Sequence, residues 1–378
     1  MPESAASFDF DVLRRYPDVE AENLFAVDAS DRLILDEGAA DVAAAATGEV
    51  VTIGDHYGAL TLGAIALHGA AQVRVHQDPL TGELALARNG AATGLEDRFE
   101  NLELGEELLS GARVVLIQLP RSLAALDEYA ASIARYAASD VVVVGGGRLK
   151  HMSIAMNEVL GRHFGDVRAS LGRHKSRVII SREPVAIDPL AAPVWPQREF
   201  HDDLGLWVVA HGPVFAGTRL DIGTRYLLTF LREMKPDAVT AVDLGCGSGV
   251  LASALATARP GLAILATDES SAAVASARAT AEANGLAITA ARDDALAGQP
   301  DGCADLVLLN PPFHAGSAVH PGVALKLFDE AARVLKPGGE LWTVFNSHLT
   351  YRPALTRAVG ETRQAGRNAK FTVTVSTK

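Results

Sequence analysis

The sequence predicts an α/β protein made of two tandem units, each a parallel sheet covered by helices on both faces, the first a degraded copy of the second. Three observations point to it. From residue 206 onward, apolar runs of strand length alternate with stretches of helical period, and near-continuous apolar strands in such an alternation belong to sheets buried on both sides. Before that point "EPVAIDPLAAPVWPQREFHDDLG" (183–205) carries four prolines and no sustained period, which reads as a linker between domains 1–182 and 206–378. The first domain, finally, repeats two anchors of the second at nearly the same interval.

In the second domain the strand candidates are Ala238 to Leu244, Leu262 to Thr267, Ala287 to Ala291, Ala304 to Leu309, Glu340 to Phe345 and Lys370 to Val375. Helical patterns at Val250 to Ala258, Ser270 to Asn284 and Val323 to Leu335 separate several of them. Ligands of such sheets bind beyond the carboxyl ends of the strands, so the loops after Leu244, Thr267, Ala291 and Leu309 are where chemistry is expected. In the first domain, setting "VTIGDHYG" (51–58) over "VDLGCGSG" (242–249) puts Gly54 on Gly245, Gly58 on Gly249, His56 on Gly247 and Thr52 on Asp243. Gly54 to Gln118 spans 64 residues and Gly245 to Asn310 spans 65. At that second anchor "VLIQLPRSL" stands where the later copy has "LLNPPFHAG", so Gln118 replaces Asn310 and Arg121 replaces Phe313.

Composition narrows the function. The chain has 378 residues, 48% of them apolar and 21% charged, the profile of a globular protein with room for two cores. Met1 to Asp18 alternates acidic and apolar residues without a basic region leading an apolar run, so no secretory leader is expected. No uncharged stretch reads as a membrane span. Two cysteines, Cys246 and Cys303, cannot build a disulfide framework or a four-cysteine metal site. A cytoplasmic, metal-free monomer is expected. A net charge of −12 argues against wholesale coating of nucleic acid, but the charge is uneven. Arg148 to Arg182 holds 8 basic and 2 acidic side chains, and Arg352 to the end holds 6 and 1; such clusters allow a phosphate partner and equally suit solvated faces.

Four elements of the second domain carry candidate chemistry. In "VDLGCGSG", Asp243 ends a strand, and Gly245, Gly247 and Gly249 suit a tight turn or a ligand lying against the backbone. The dinucleotide fingerprint needs its third glycine three residues after the second; Val250 stands there, so a cofactor without a pyrophosphate fits better. Asp268, at the end of the next strand, can accept both hydroxyls of a ribose, the plainer alternative being a helix N-cap. In "ARDDAL", Asp293 or Asp294 can accept the exocyclic amine of an adenine, and Asp294 is the choice made here, against a solvated turn. The fourth element is "NPPF". The side-chain carbonyl of Asn310 and the main-chain carbonyl of Pro311 can accept both hydrogens of a planar amine, Pro311 and Pro312 withhold competing donors, and Phe313 offers a face for a base to stack on. Two preplaced acceptors stabilise the positive charge that builds on an amine during methylation by a sulfonium. His314 carries no assigned role.

Together "DLGCGSG", "TDES", "NPPFH" and the upstream "FAGTRLDIGTRYLL" (215–228) resemble the class I S-adenosylmethionine-dependent methyltransferases, and more narrowly the bacterial ribosomal RNA guanine-N2 methyltransferases with two tandem Rossmann-like domains, the N-terminal one degenerate. The closing "NSHLTYRPALTRAVG" (346–360) and "NAKFTV" (368–373) look closer to the large-subunit enzyme. The resemblance implies S-adenosylmethionine as cofactor, held at Asp243, Gly245, Gly247, Gly249 and Asp268, a target base at Asn310, Pro311 and Phe313, and ribosomal RNA as partner. It also implies that Asp221 and Gly223 shape a loop over the cofactor, and that the first domain is a silent copy that helps hold RNA. The first 200 residues, with 18 basic and 29 acidic side chains, depart from that last expectation, so any RNA contact there should fall between Arg148 and Arg182. Methylation of adenine N6 or of a protein glutamine amide, and a non-catalytic RNA-binding or chaperone module, remain open.

Overall fold

The computed structural model describes residues 7–188, 190–311 and 321–378, and the chain divides into two compact units, Met1–Val194 and Trp195–Lys378. In the first, α1 (Ala29–Ala44), β1 (Val50–Ile53), α2 (Ala59–His68), β2 (Val73–His76), α3 (Leu80–Thr93), β3 (Phe99–Asn101), α4 (Glu106–Leu109), β4 (Val114–Gln118), α5 (Leu123–Tyr136), β5 (Val142–Arg148), α6 (Ile154–Leu160), β6 (Phe164–Ala169) and β7 (Ser176–Pro184) build a seven-stranded sheet of order β3-β2-β1-β4-β5-β7-β6. The second opens on a hairpin, β8 (Gln197–His201) and β9 (Leu206–Ala210), followed by α7 (Ile222–Leu228). Its sheet, of order β12-β11-β10-β13-β14-β16-β15, comprises β10 (Thr240–Leu244), β11 (Ala263–Asp268), β12 (Thr289–Arg292), β13 (Ala304–Leu309), β14 (Leu335–Asn346), β15 (Glu361–Arg367) and β16 (Phe371–Thr377), linked in part by α8 (Val250–Ala258), α9 (Ser271–Ala283), α10 (Pro321–Val334) and α11 (Arg352–Ala358). Both sheets have one strand order, so the duplication expected from the two anchors is a duplication of topology.

The apolar strands read as they do because both faces are covered. Alternate side chains of a strand point to opposite faces: Leu306 and Leu308 of β13 pack with Leu251 and Leu255 of α8 and with the fully buried Trp342, while Val307 and Leu309 pack with Leu327 and Phe328 of α10. Two expectations need correction. The sheets are mixed: β16 runs antiparallel to β14 and β15, as β7 does to β5 and β6, because each chain returns through a hairpin at that edge. And 183–205 is not linker throughout. Residues 197–201 are β8, and β9 is tied to α9 by side chains four residues apart: Trp207 N donates to Asn284 Oδ1 (2.9 Å), Val209 N to Thr280 Oγ1 (2.9 Å) and His211 N to Ser276 Oγ (2.9 Å). Two residues of strand rise nearly as far as four of helix, so the two periods stay in step.

Gly249, at the N-cap of α8, has φ of 75°, and a Cβ there would stand 2.8 Å from Ala277 Cα and 2.9 Å from Ala277 Cβ. This glycine is needed for α8 and α9 to meet. Gly245 shares the left-handed backbone, at φ 71°, but nothing lies within 4 Å of its Cβ position. Gly249→Ala should therefore cost roughly 3 kcal/mol of stability, from strain plus overpacking, and Gly245→Ala about 1 kcal/mol, from strain alone. All three tryptophans, Trp195, Trp207 and Trp342, lie in the second unit, so urea unfolding followed by their fluorescence reads this difference; equal losses would contradict the packing role of Gly249.

Candidate active site

The strand order reverses between β10 and β13, and such a reversal opens a crevice at the carboxyl ends of the strands. Leu244 pairs with both Thr267 and Leu309, so Gly245, Asp268 and Asn310 stand together where the sheet ends. The glycine turn is held by Gly245 N and Cys246 N, which donate to the Thr267 carbonyl (2.8 and 2.9 Å), and by Gly247 N, which donates to Asp268 Oδ2 (3.0 Å). Gly247, with φ 52°, also has nothing within 4 Å of its Cβ position among the described residues. Gly245 and Gly247 thus present backbone that no described residue covers, whereas Gly249 serves packing. Asp268 Oδ1 accepts from Ser270 N (3.0 Å), and the N-cap of α9 is Ser270, whose Oγ accepts from Ala273 N (3.0 Å). The N-cap reading of Asp268 therefore falls.

Asp243 is buried, and its Oδ2 accepts from Ala252 N in α8 (2.9 Å). Its Oδ1 is buried and has no hydrogen-bond partner among the described residues. Burial, with the charge of Asp268 added, pushes the Asp243 carboxyl up to about 7. Burial and the same two carboxylates push the Cys246 thiol well above its ordinary value, so it stays protonated and is not a nucleophile.

Asn310 follows β13, and its Nδ2 donates to Asp221 Oδ2 (3.1 Å) and to Thr224 Oγ1 (3.0 Å). Its Oδ1 is buried and without a partner among the described residues. A buried acceptor left unpaired costs about 1 to 3 kcal/mol and calls for a reason. Pro311 is buried; Pro312, Phe313 and His314 lie outside the described residues. Asp293 is a turn residue, accepting from Gly298 N (3.1 Å) and Gln299 Nε2 (3.3 Å). Asp294 Oδ1 accepts from Lys326 Nζ (2.6 Å), an ion pair that nothing local in the sequence signals. Asp221 caps α7 through Thr224 N (3.0 Å), and a Cβ on Gly223 would meet Asp221 Oδ2 at 2.9 Å. Sequence reasoning placed Asp221 over the cofactor and missed its bond, and that of Thr224, to Asn310.

The equivalent corner of the first unit is filled. Ile53 pairs with His76 and Ile117, so Gln77 and Gln118 stand where Asp268 and Asn310 stand in the other copy. Gln118 Nε2 donates to Asp31, and both ends of its amide lie within hydrogen-bonding reach of Ser30 Oγ (3.1 and 3.3 Å). A Cβ on Gly54 would meet the Gln118 carbonyl at 3.3 Å, where Gly245 faces open space.

Strand order, glycine turn and strand-end acids define a class I S-adenosylmethionine-dependent methyltransferase preceded by a degenerate copy of itself. The comparisons specify it further. A family model described as "Methyltransferase small domain" matches residues 205–375, and one described as "RLMG N-terminal domain" matches residues 1–185. Curated proteins called "Ribosomal RNA large subunit methyltransferase G" are 38% identical in Streptomyces coelicolor, over 97% of this chain and 98% of theirs, and 35% identical in Pseudomonas aeruginosa, over 99% of each. The solved T. thermophilus 16S rRNA N2 G1207 methyltransferase, in complex with AdoMet and guanosine, has the same fold, with a TM-score of 0.74 at 22% identity over 93% of this chain and 92% of its own. The chain belongs to the ribosomal RNA large subunit methyltransferase G family.

The state of Asp243 gives a measurable pH dependence. Its folded pKa of about 7 lies above the ordinary 3.8, so the folded chain holds a proton that the unfolded chain has released. This contribution to stability is fully present below about pH 4 and is lost as pH rises to about 7. Asp243→Asn, whose amide oxygen can still accept from Ala252 N, should flatten that decline. Denaturation between pH 4 and 8 checks this, and an unchanged slope would place the titration elsewhere.

Proposed function

We propose that the second unit transfers a methyl group from S-adenosylmethionine to the exocyclic N2 of a guanine in large-subunit ribosomal RNA. The observation that carries this reading is the buried Asn310 Oδ1, without a partner among the described residues, one strand away from a glycine turn that no described side chain fills. The residues present suit the cofactor: Gly245 and Gly247 let it lie against the backbone, Asp268 accepts ribose hydroxyls, Asp294 accepts the adenine amine, and the Asp268 carboxylate favours a cation. When bound, the cofactor supplies an electrophilic methyl group on a sulfonium. Asn310 Oδ1 and the Pro311 carbonyl accept the two N–H groups of the target amine, which orients its nitrogen and stabilises the charge gained there as the N–C bond forms. The methylated nitrogen then loses one proton to water. Phe313 is the stacking face in this reading. The relatives named for the large subunit and the fold neighbour named for guanine N2 favour guanine over adenine N6 or a glutamine amide. In this reading the chain acts in the cytoplasm, as a monomer; no helix among the described residues is long and apolar enough to cross a membrane.

Incubation with labelled cofactor and unmodified large-subunit rRNA, followed by digestion to nucleosides, should yield N2-methylguanosine; label in adenosine or in protein would overturn the acceptor. Asn310→Ala should lower turnover by roughly 10² to 10³ while leaving cofactor affinity nearly intact. Full turnover in that variant would remove Asn310 from the mechanism.

The first unit, in the same proposal, performs no transfer and holds RNA. Of the eight basic residues between Arg148 and Arg182, five stand within 4 Å of a carboxylate: Arg148, Arg162, Arg168, Arg173 and Arg182. The exposed Arg121 follows Gln118 by three residues, and the exposed Lys150 lies just past the end of β5. Arg121 lies 3.2 Å from the His151 ring, and burial together with the charges of Arg121, Lys150 and Arg148 lowers the His151 pKa, as expected where cations crowd. The double charge reversal Arg121→Glu with Lys150→Glu should weaken RNA binding and reduce the slope of log K against log salt by about 1 to 2. A salt titration reads it, and an unchanged slope would move the RNA contact elsewhere.

A further inference from the structure

We propose that Asp221 and Thr224 are positioning residues that fix which end of the Asn310 amide faces the target amine; this rests on the reading that Asn310 accepts that amine. An asparagine amide can turn over about its last bond, exchanging oxygen for NH₂ at little cost unless its neighbours discriminate. Here they do. Nδ2 donates to Asp221 Oδ2 at 3.1 Å and to Thr224 Oγ1 at 3.0 Å. A carboxylate accepts and cannot donate, so the reversed amide would set two oxygens against each other. Asp221 Oδ2 is itself placed by a bond from Thr224 N (3.0 Å), which makes it both the N-cap of α7 and the anchor of Asn310. The same three atoms thus join the start of α7 to the end of β13, 86 and 89 residues apart. With Nδ2 engaged on both hydrogens, Oδ1 is left as a buried acceptor with no partner among the described residues.

The first unit shows the alternative outcome in the same chain. There the Gln118 amide at the end of β4 also meets the first turn of a capped helix, through Asp31 and Ser30, but both of its ends lie within reach of the Ser30 hydroxyl. No acceptor is held back. In the second unit both hydrogens of the nitrogen are taken, by the Asp221 carboxylate, which cannot donate, and by the Thr224 oxygen, so the first turn leaves the strand end to recognise a donor, and hence an amine rather than a carbonyl.

A double-mutant cycle in the full chain tests the assignment. Thr224→Val removes one acceptor and keeps the shape and the N-cap. It should lower kcat on unmodified large-subunit rRNA roughly tenfold, the loss of one hydrogen bond, with cofactor Kd within about twofold. Thr224→Ser, which restores the hydroxyl, should recover most of that loss. In the Asn310→Ala background Thr224→Val should cost nothing more, because residues acting as a unit are not additive. Asp221→Asn, which still offers an oxygen to the cap, enters the same cycle as a second variant should Thr224→Val unfold by tryptophan fluorescence. Additive losses, or a changed cofactor Kd with kcat intact, would overturn the positioning role. Full turnover by Asn310→Ala alone would instead overturn the acceptor reading beneath it.

Discussion

A carboxylate that receives the first free amides of the helix after the leading strand sets the geometry of both units. In the second it is Asp243, on the strand, accepting from Ala252 N. In the first it is Asp55, inside the turn, with Oδ1 accepting from Leu60 N (2.6 Å) and Oδ2 from Thr61 N (2.8 Å). Thr52, in the place of Asp243, bonds only to the Thr61 hydroxyl (2.8 Å). A helix start buried without such an acceptor would strand its N–H groups. Both solutions bury an acid, and burial raises Asp55 to about 6 as it raises Asp243 to about 7. They differ in what is left over: Asp55 uses both oxygens on the helix, and Asp243 keeps one.

That difference explains why so much of the fold was legible and why some of the site was not. The 64- and 65-residue intervals show in the sequence because the path from the first strand out to the sheet edge and back to the fourth strand takes a fixed length of chain. The polar residues at strand ends show because they interrupt apolar runs: Asp243, Asp268 and Asn310 each stand where a buried strand reaches the edge. What they bond to is set over long separations. Asn310 finds Asp221 and Thr224, Asp294 finds Lys326, and the β9 segment finds Ser276 and Thr280 of α9 and its C-cap Asn284, 65 to 77 residues away. The hairpin was lost among prolines because its partner is a row of helix side chains, and β15, "ETRQAGR", was missed because its mostly exposed residues carry no apolar signal.

Charge follows a similar logic. An acidic first unit is a poor general adhesive for RNA, and most of its basic cluster is engaged with carboxylates of the same unit, such as Arg173 with Glu37 (2.6 Å) and Arg168 with Asp166 (2.7 Å). Exposed pairs of this kind add little to stability, but they lower the long-range field. In the proposed reading, attraction for a polyanion then depends on the few remaining cations, such as the exposed Arg121 and Lys150, so affinity there should be local and selective.

The two copies of the corner also differ in how they weigh stability against function. A fully paired corner is the more stable choice, since each buried acceptor without a partner costs about 1 to 3 kcal/mol. The first unit has it at Gln118 and Asp55. The second leaves Asp243 Oδ1 and Asn310 Oδ1 without a partner among the described residues, while Asp243 Oδ2 is held by Ala252 N and Asn310 Nδ2 by Asp221 and Thr224. Neither oxygen can relax towards a substitute, because the other atom of each group is already held. In the proposed reading such a site binds by completing what the fold leaves incomplete, and the other copy in the chain, where Gln118 and Asp55 use both ends of their side-chain groups, ties the incompleteness to this corner's residues rather than to the topology.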